Sequence, residues 1–99
     1  MQTIWRFPID VVDRQVLYVP KGTSFLTAQV KDGDLCLWGI VDPEQPKEYR
    51  NIIIVGTGHP LMDSPESRRA YIGTVQIAMG QTLVFHVFEE IDSQKGGAI

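Results

Sequence analysis

Ser24-Phe25-Leu26-Thr27-Ala28-Gln29-Val30-Lys31, then Asp32-Gly33-Asp34, then Leu35-Cys36-Leu37-Trp38-Gly39-Ile40-Val41, is the stretch on which the fold turns. An Asp-Gly pair supplies the positive φ values that a tight hairpin demands, and here it separates two strand-like runs. The reading is therefore a β-hairpin with arms Ser24 to Lys31 and Leu35 to Val41. In the first arm Leu26, Ala28 and Val30 alternate with Phe25, Thr27 and Gln29, and the even-numbered set is expected to face inward. Leu35, Leu37 and Val41 lie on one face of the second arm, with Cys36, Trp38 and Ile40 on the other. A strand apolar on both faces is expected to be central and covered on both sides.

Working outward, the same period of two recurs in short runs bounded by turn residues, with almost no helical periodicity. Thr3 to Phe7 is closed by Pro8, and Arg14 to Val19 by Pro20, followed by Lys21-Gly22 as a turn; a proline at a strand end donates nothing to the ladder and suits an edge. Asp42 to Lys47 holds Pro43 and Pro46 and reads as a loop before the isoleucine-rich run Tyr49 to Val55. Ala70 to Ala78 and Thr82 to Glu90 form a second hairpin around Met79-Gly80-Gln81. In its first arm Ile72, Thr74, Gln76 and Ala78 alternate with Tyr71, Gly73, Val75 and Ile77. Asp63 to Ala70 carries the one helix signal, with Ser64 as N-cap, Pro65 at the first position and Glu66 in the first turn, enough for a turn or two. The expected fold is all-β, about seven antiparallel strands in a small sandwich or barrel. It is a single domain over residues 1–91, with 92–99 as a flexible tail.

Composition narrows the function. The chain has 99 residues, 43% hydrophobic and 9% aromatic, enough for one ordinary core and too short for two domains. A formal charge of −3, with both signs interspersed, argues against nucleic acid and against a polybasic membrane patch. Cys36 is the lone cysteine, so no intrachain disulfide forms, and a reducing cytoplasm is expected. Residues Met1 to Asp10 show no secretory h-region, and no apolar run approaches the ~20 residues of a membrane-spanning helix.

Gly56-Thr57-Gly58-His59-Pro60 is the most suggestive local feature. Two glycines let backbone N–H groups converge on an anion, and Thr57 and His59 add side-chain donors. It is neither a Walker sequence nor a dinucleotide fingerprint, and its plain alternative is a turn that relieves strain at a strand end. Arg50, Arg68 and Arg69 flank it in sequence, and guanidinium groups are the usual partners of phosphate and carboxylate. The candidate ligand site is thus Arg50, Gly56, Thr57, Gly58, His59, Arg68 and Arg69; taken singly, each arginine is equally well a solvated surface charge.

Other constellations are weaker. His86, placed with Val84 and Phe88 on one strand face, reads more simply as a hydrogen-bonded, partly buried residue than as a general base. Cys36, His59 and His86 lack the short ligand spacing of a zinc site, so no metal and no cofactor is expected. No serine sits in a nucleophile elbow, and the carboxylate pairs Asp32 with Asp34 and Glu89 with Glu90 occupy a hairpin and a strand end. Catalysis is therefore not expected. Trp5, Trp38, Tyr18, Tyr49 and Tyr71 offer ring surface for stacking, though such rings more often fill cores and interfaces. A chain this short also invites homo-oligomerisation to complete its core.

Three stretches resemble a family of small uncharacterised bacteriophage and prophage proteins. They are Asp13-Arg14-Gln15-Val16 leading to Val19-Pro20-Lys21-Gly22; Cys36-Leu37-Trp38 running to Val41-Asp42-Pro43; and Gly56 to Pro60, followed by Tyr71-Ile72-Gly73-Thr74 and Phe85-His86-Val87-Phe88-Glu89. The resemblance covers nearly all of Met1 to Glu90. It implies a host-cytoplasm setting and an accessory role, such as a counter-defence factor. Three functions then compete: sequestration of a phosphorylated or nucleotide immune signal, inhibition of a host defence enzyme by docking on it, and service as a minor virion or assembly component.

Overall fold

A computed structural model describes residues 1–61 and 67–92. Seven strands follow one another, with no helix among the described residues: β1 (Thr3–Pro8), β2 (Arg14–Pro20), β3 (Ser24–Lys31), β4 (Asp34–Val41), β5 (Lys47–Gly56), β6 (Ser67–Ala78) and β7 (Thr82–Asp92). All pairings are antiparallel, in a three-stranded sheet of order β1-β4-β3 and a four-stranded sheet of order β2-β5-β7-β6. The expected all-β sandwich is what forms. Of the expected helical turn over Asp63 to Ala70, residues 67–70 belong instead to β6, where ladder bonds to β7 from Asp92 upward outcompete the local capping signal; residues 63–66 lie outside the described residues. The expected tail also falls outside them from 93 onward, and Asp92 closes β7.

The β3-β4 hairpin turns on Asp32 and Gly33 alone, with φ of 53° and 83°, while Lys31 and Asp34 already pair. Both turn residues in the left-handed region give the turn whose twist matches the strands it joins. Pro8 and Pro20 occupy the ends of β1 and β2, the outermost strands of their sheets, where a missing N–H costs no ladder bond.

The core lies between the sheets. Leu35 and Leu37 of central β4 and Ala28 of β3 meet Ile52 and Ile54 of β5, Val87 of β7 and Ile72 and Val75 of β6. Cys36, on the other side of β4, is also buried, while Trp38 and Ile40 beside it are half-exposed. Of the three β3 residues expected inward, Ala28 is buried, whereas Val30, beside the hairpin turn, is 37% exposed and Leu26 is displaced outward. A bulge between Phe25 and Thr27 inserts an extra residue, so Phe25 rather than Leu26 takes the inward position, and Leu26 is left 47% exposed. A second bulge, between Tyr71 and Gly73, has the matching effect in β6: Ile72 joins the core, and Tyr71 comes to share the outward face with Thr74. Gly73 then lies against β3 so closely that a Cβ there would stand 2.9 Å from the amide nitrogen of Ala28, a close approach of the two sheets that a side chain would obstruct.

One charged pair is built into the inward surface. Arg50 of β5 donates from Nε and Nη2 to Glu89 of β7, the latter bond at 2.8 Å, and from Nη1 to Glu48 at 3.2 Å. Its guanidinium lies 5.1 Å from the ring centre of Phe25 in the other sheet. Glu89 is 7% exposed. The paired carboxylate raises the pKa of Arg50 against the opposing effect of burial. Because the folded value is raised, the stability tied to the arginine's charge is intact throughout the neutral range and is lost as pH rises into strong alkali.

Removing Arg50 leaves the Glu89 carboxylate buried and unanswered, and removing Glu89 leaves the part-buried Arg50 with Glu48 alone. Arg50→Ala or Glu89→Ala is expected to cost about 3 kcal/mol in urea unfolding, and the apolar double replacement Arg50→Met with Glu89→Leu markedly less than the sum. Gly73→Val is expected to cost about 2 kcal/mol by forcing the sheets apart, measured the same way.

Candidate functional site

The Gly56 to Pro60 segment closes β5 as a tight turn. His59 N–H donates to Gly56 O at 3.0 Å, Gly58 carries φ +87°, and the His59 ring packs on Gly56, where a Cβ would stand 3.1 Å from Nδ1. The glycines therefore do what the plain reading asked of them. The turn also does more: Thr57 N–H donates to Val84 O at 3.1 Å, which holds the threonine over the outward face of the four-stranded sheet.

There Thr57 meets His86. Thr57 Oγ1 is 2.7 Å from His86 Nε2, His86 Nδ1 is 3.0 Å from Thr74 Oγ1, and Thr74 Oγ1 is 2.6 Å from the Tyr71 hydroxyl. Register explains the meeting, since β7 lies between β5 and β6 and His86 is paired with Val55 on one side and Thr74 on the other. The result is an unbroken chain of four polar side chains, Thr57, His86, Thr74 and Tyr71, on an exposed sheet surface. The Tyr71 ring stands edge to face with Phe88, 5.7 Å between centres, and is 62% exposed.

Next to this chain, Asp13, Arg14, Ile53, Ile54, Val55, Gly56 and the His59-Pro60-Leu61 segment line a cavity of about 390 Å³. Arg14 is the cation at its rim, and it is already engaged: Nη1 and Nη2 donate to the two carboxylate oxygens of Glu90 at 2.6 and 3.3 Å, and Glu90 raises the arginine's pKa. With Asp13 alongside, the rim carries no surplus positive charge.

The expected ligand set is therefore only partly assembled. Gly56, Thr57, Gly58 and His59 form one structural unit, with Gly56 and His59 at the cavity and Thr57 on the polar chain. The three arginines do not converge on it. Arg50 points between the sheets and is held by Glu89 and Glu48. Arg68 and Arg69 are exposed on the outermost strand β6, opposite Ile91 and Glu90, and neither lines the cavity. Sequence spacing brought these residues near the loop along the chain, but the sheet disperses them. Thr74, Asp13 and Arg14 are not singled out by the sequence, Tyr71 stands out there only as one of several rings for stacking, and His86 reads there more simply as a hydrogen-bonded, partly buried residue. Alternation alone sets Tyr71 and Thr74 on opposite faces, and nothing in the composition announced the bulge that unites them.

Among the described residues no group of three His, Cys, Asp or Glu side chains is placed to hold a metal ion, and no helix is long and apolar enough to cross a membrane. What the arrangement offers is hydrogen bonding: three hydroxyls and an imidazole on a surface with a neighbouring aromatic ring. A family model described as "Domain of unknown function (DUF7352)" matches residues 1–97, and the chain belongs to that family. No curated protein and no solved structure matches it.

Thr74 is the joint of the polar chain, touching both His86 and Tyr71. Thr74→Val should leave unfolding free energy within about 1 kcal/mol of the parent, because the site is exposed. It should also shift the His86 ring resonances in nitrogen-edited NMR spectra, whereas Gln76→Val, two residues along the same strand, should not.

Proposed function

We propose that this DUF7352 protein is a non-enzymatic binding protein that sequesters a nucleotide or other phosphorylated small molecule on the outward face of its four-stranded sheet. The observation that carries the reading is the chain Thr57-His86-Thr74-Tyr71, four polar side chains from two strands and a turn, wired together where the core needs none of them. Hydroxyl and imidazole groups are suited to phosphate oxygens and ribose hydroxyls, and the exposed Tyr71 ring is suited to a base. The three stretches that feed the chain, Gly56 to Pro60, Tyr71 to Thr74 and Phe85 to Glu89, are among those that resemble small bacteriophage and prophage proteins. That resemblance supports a phage-type accessory role in the host cytoplasm, with an immune signal as the sequestered molecule. Arg50 plays no part in the ligand site on this reading, since Glu89 and Glu48 hold it inside.

A second reading is favoured by a different surface. Ile4, Leu26 and Trp38, with Thr27, Gln29, Val30 and Lys31, border an open groove of about 540 Å³ on the three-stranded sheet. An exposed apolar surface of that kind is suited to a host protein or to a second copy of the chain. It makes the protein an interaction inhibitor or a homo-oligomer, and Trp38→Ala abolishing activity in infected cells while nucleotide binding persists would favour it.

Calorimetry against cyclic nucleotides, cyclic dinucleotides and ADP-ribose derivatives tests the first reading. At least one is expected to bind, with His86→Ala and Thr57→Val each weakening it about tenfold or more, as loss of a ligand hydrogen bond does. No heat from any of them overturns the sequestration proposal.

A further inference from the structure

Both ring nitrogens of His86 are in hydrogen-bond contact with a threonine hydroxyl, and this restricts where protons can be. A neutral imidazole has one N–H and one lone pair. If Nδ1 holds the proton it donates to Thr74 Oγ1, and Nε2 must accept from the Thr57 hydroxyl at 2.7 Å. If Nε2 holds it, the roles exchange, and Nδ1 accepts from the Thr74 hydroxyl. Either way one of the two threonine protons is committed to the ring. Adding a proton changes the count, because both nitrogens then donate and both threonine oxygens accept. The committed threonine proton is released, so that Thr57, with Val84 O 3.5 Å away, and Thr74, with the Tyr71 hydroxyl 2.6 Å away, no longer donate to the ring. Protonated, the chain is one charge more positive and has one hydroxyl donor fewer committed to the ring.

The surroundings make this matter. From β6, Tyr71 and Arg69 share the outward face with His86; from β7, Glu90; from β2, Arg14, which Glu90 binds; and Asp13 and His59 stand at the cavity beyond Gly56. Where it pairs with β7, β5 contributes the uncharged Asn51, Ile53 and Val55 to this face, with Tyr49 and Lys47 further along the same strand. Among the side chains in direct contact on the polar chain, His86 alone has a ring nitrogen that can accept a further proton and become cationic; the threonine and tyrosine hydroxyls cannot.

We infer that the Thr57-His86-Thr74-Tyr71 chain takes up one proton from solvent, on the His86 ring, when it holds a phosphate-diester anion, so that capture tightens as pH falls. The inference rests on the sequestration reading and specifies how that site is regulated. By linkage, uptake of a full proton steepens affinity by at most about tenfold per pH unit, and the bound anion in turn favours the protonated ring to the same extent.

Cyclic di-AMP and ADP-ribose are suitable probes, because their phosphodiester and pyrophosphate groups keep a constant charge from about pH 5.5 to 8. Calorimetry of the full chain across that range, in pairs of buffers with different ionisation enthalpies, should give affinity that rises on acidification and close to one proton absorbed. His86→Gln, which keeps hydrogen bonding and loses titration, should bind with a flat pH profile, whereas His59→Gln should keep the slope. Nitrogen-edited NMR of the complex should show the His86 ring titrating at higher pH than in the free protein. Binding that is flat in the parent, or a slope unchanged in His86→Gln, overturns the inference and leaves the sequestration reading standing. Failure of both probes to bind at any pH overturns the inference, and failure of the whole nucleotide panel overturns the sequestration reading with it.

Discussion

Arg50 points from β5 into the space between the sheets, where Glu89 on the neighbouring strand and Glu48 on its own take up its donors and the Phe25 ring of the opposite sheet lies against its plane. A buried cation is tolerated only when its charge and its donors are answered. Each answer here comes from a different part of the fold: the β5-β7 pairing, the alternation along β5, and the bulge that turns Phe25 inward. Glu48 extends the set, accepting the Gly22 N–H at 3.1 Å and so fixing the turn that carries the chain from one sheet to the other. A slip of one residue in β5 would send Arg50 to solvent and Ile53 inward, so the ion pair acts as a register pin as well as a contact.

With the register fixed, the two faces of the four-stranded sheet separate by chemistry. Inward lie Ile52, Ile54 and Val87; outward, the same strands and β6 display Val55, His86 and Thr74 in a row across the sheet. The turn after β5 folds back over this outward row because Thr57 N–H bonds to Val84 O, and its hydroxyl completes the chain to His86. A local turn motif and a long-range strand pairing thus build a single surface.

The electrostatics of that surface differ from a conventional phosphate pocket. Arg14 and Arg50 are both spent on glutamates, so attraction for an anion cannot come from a ready guanidinium fork. What remains beside them is a group of three linked hydroxyls and an imidazole, with Arg69 and Glu90 further along the same face. Such a surface is suited to recognition by hydrogen-bond geometry.

The fold class was legible because alternation, proline and Asp-Gly are local signals, and each strand end announced itself within a few residues. The two bulges were not, since a bulge depends on what the neighbouring strand and the facing sheet require. Gly73 yields to the Ala28 backbone, and Tyr71 and Thr74, three apart in a strand, meet on one face only as a consequence. For the site, the chain itself marked Gly56 to His59 through composition, and tertiary structure alone decided which partners Thr57 would find. Arg50, Arg68 and Arg69 flank the turn in sequence but are distributed by strand pairing to an interior face and an outer strand, while Thr57 and His86, distant along the chain, are brought to within 2.7 Å of each other by the pairing of β5 with β7. Periodicity sets the face of a side chain from its neighbours one and two residues away; which residues share that face across a sheet is set by register, and register is decided by the packed whole.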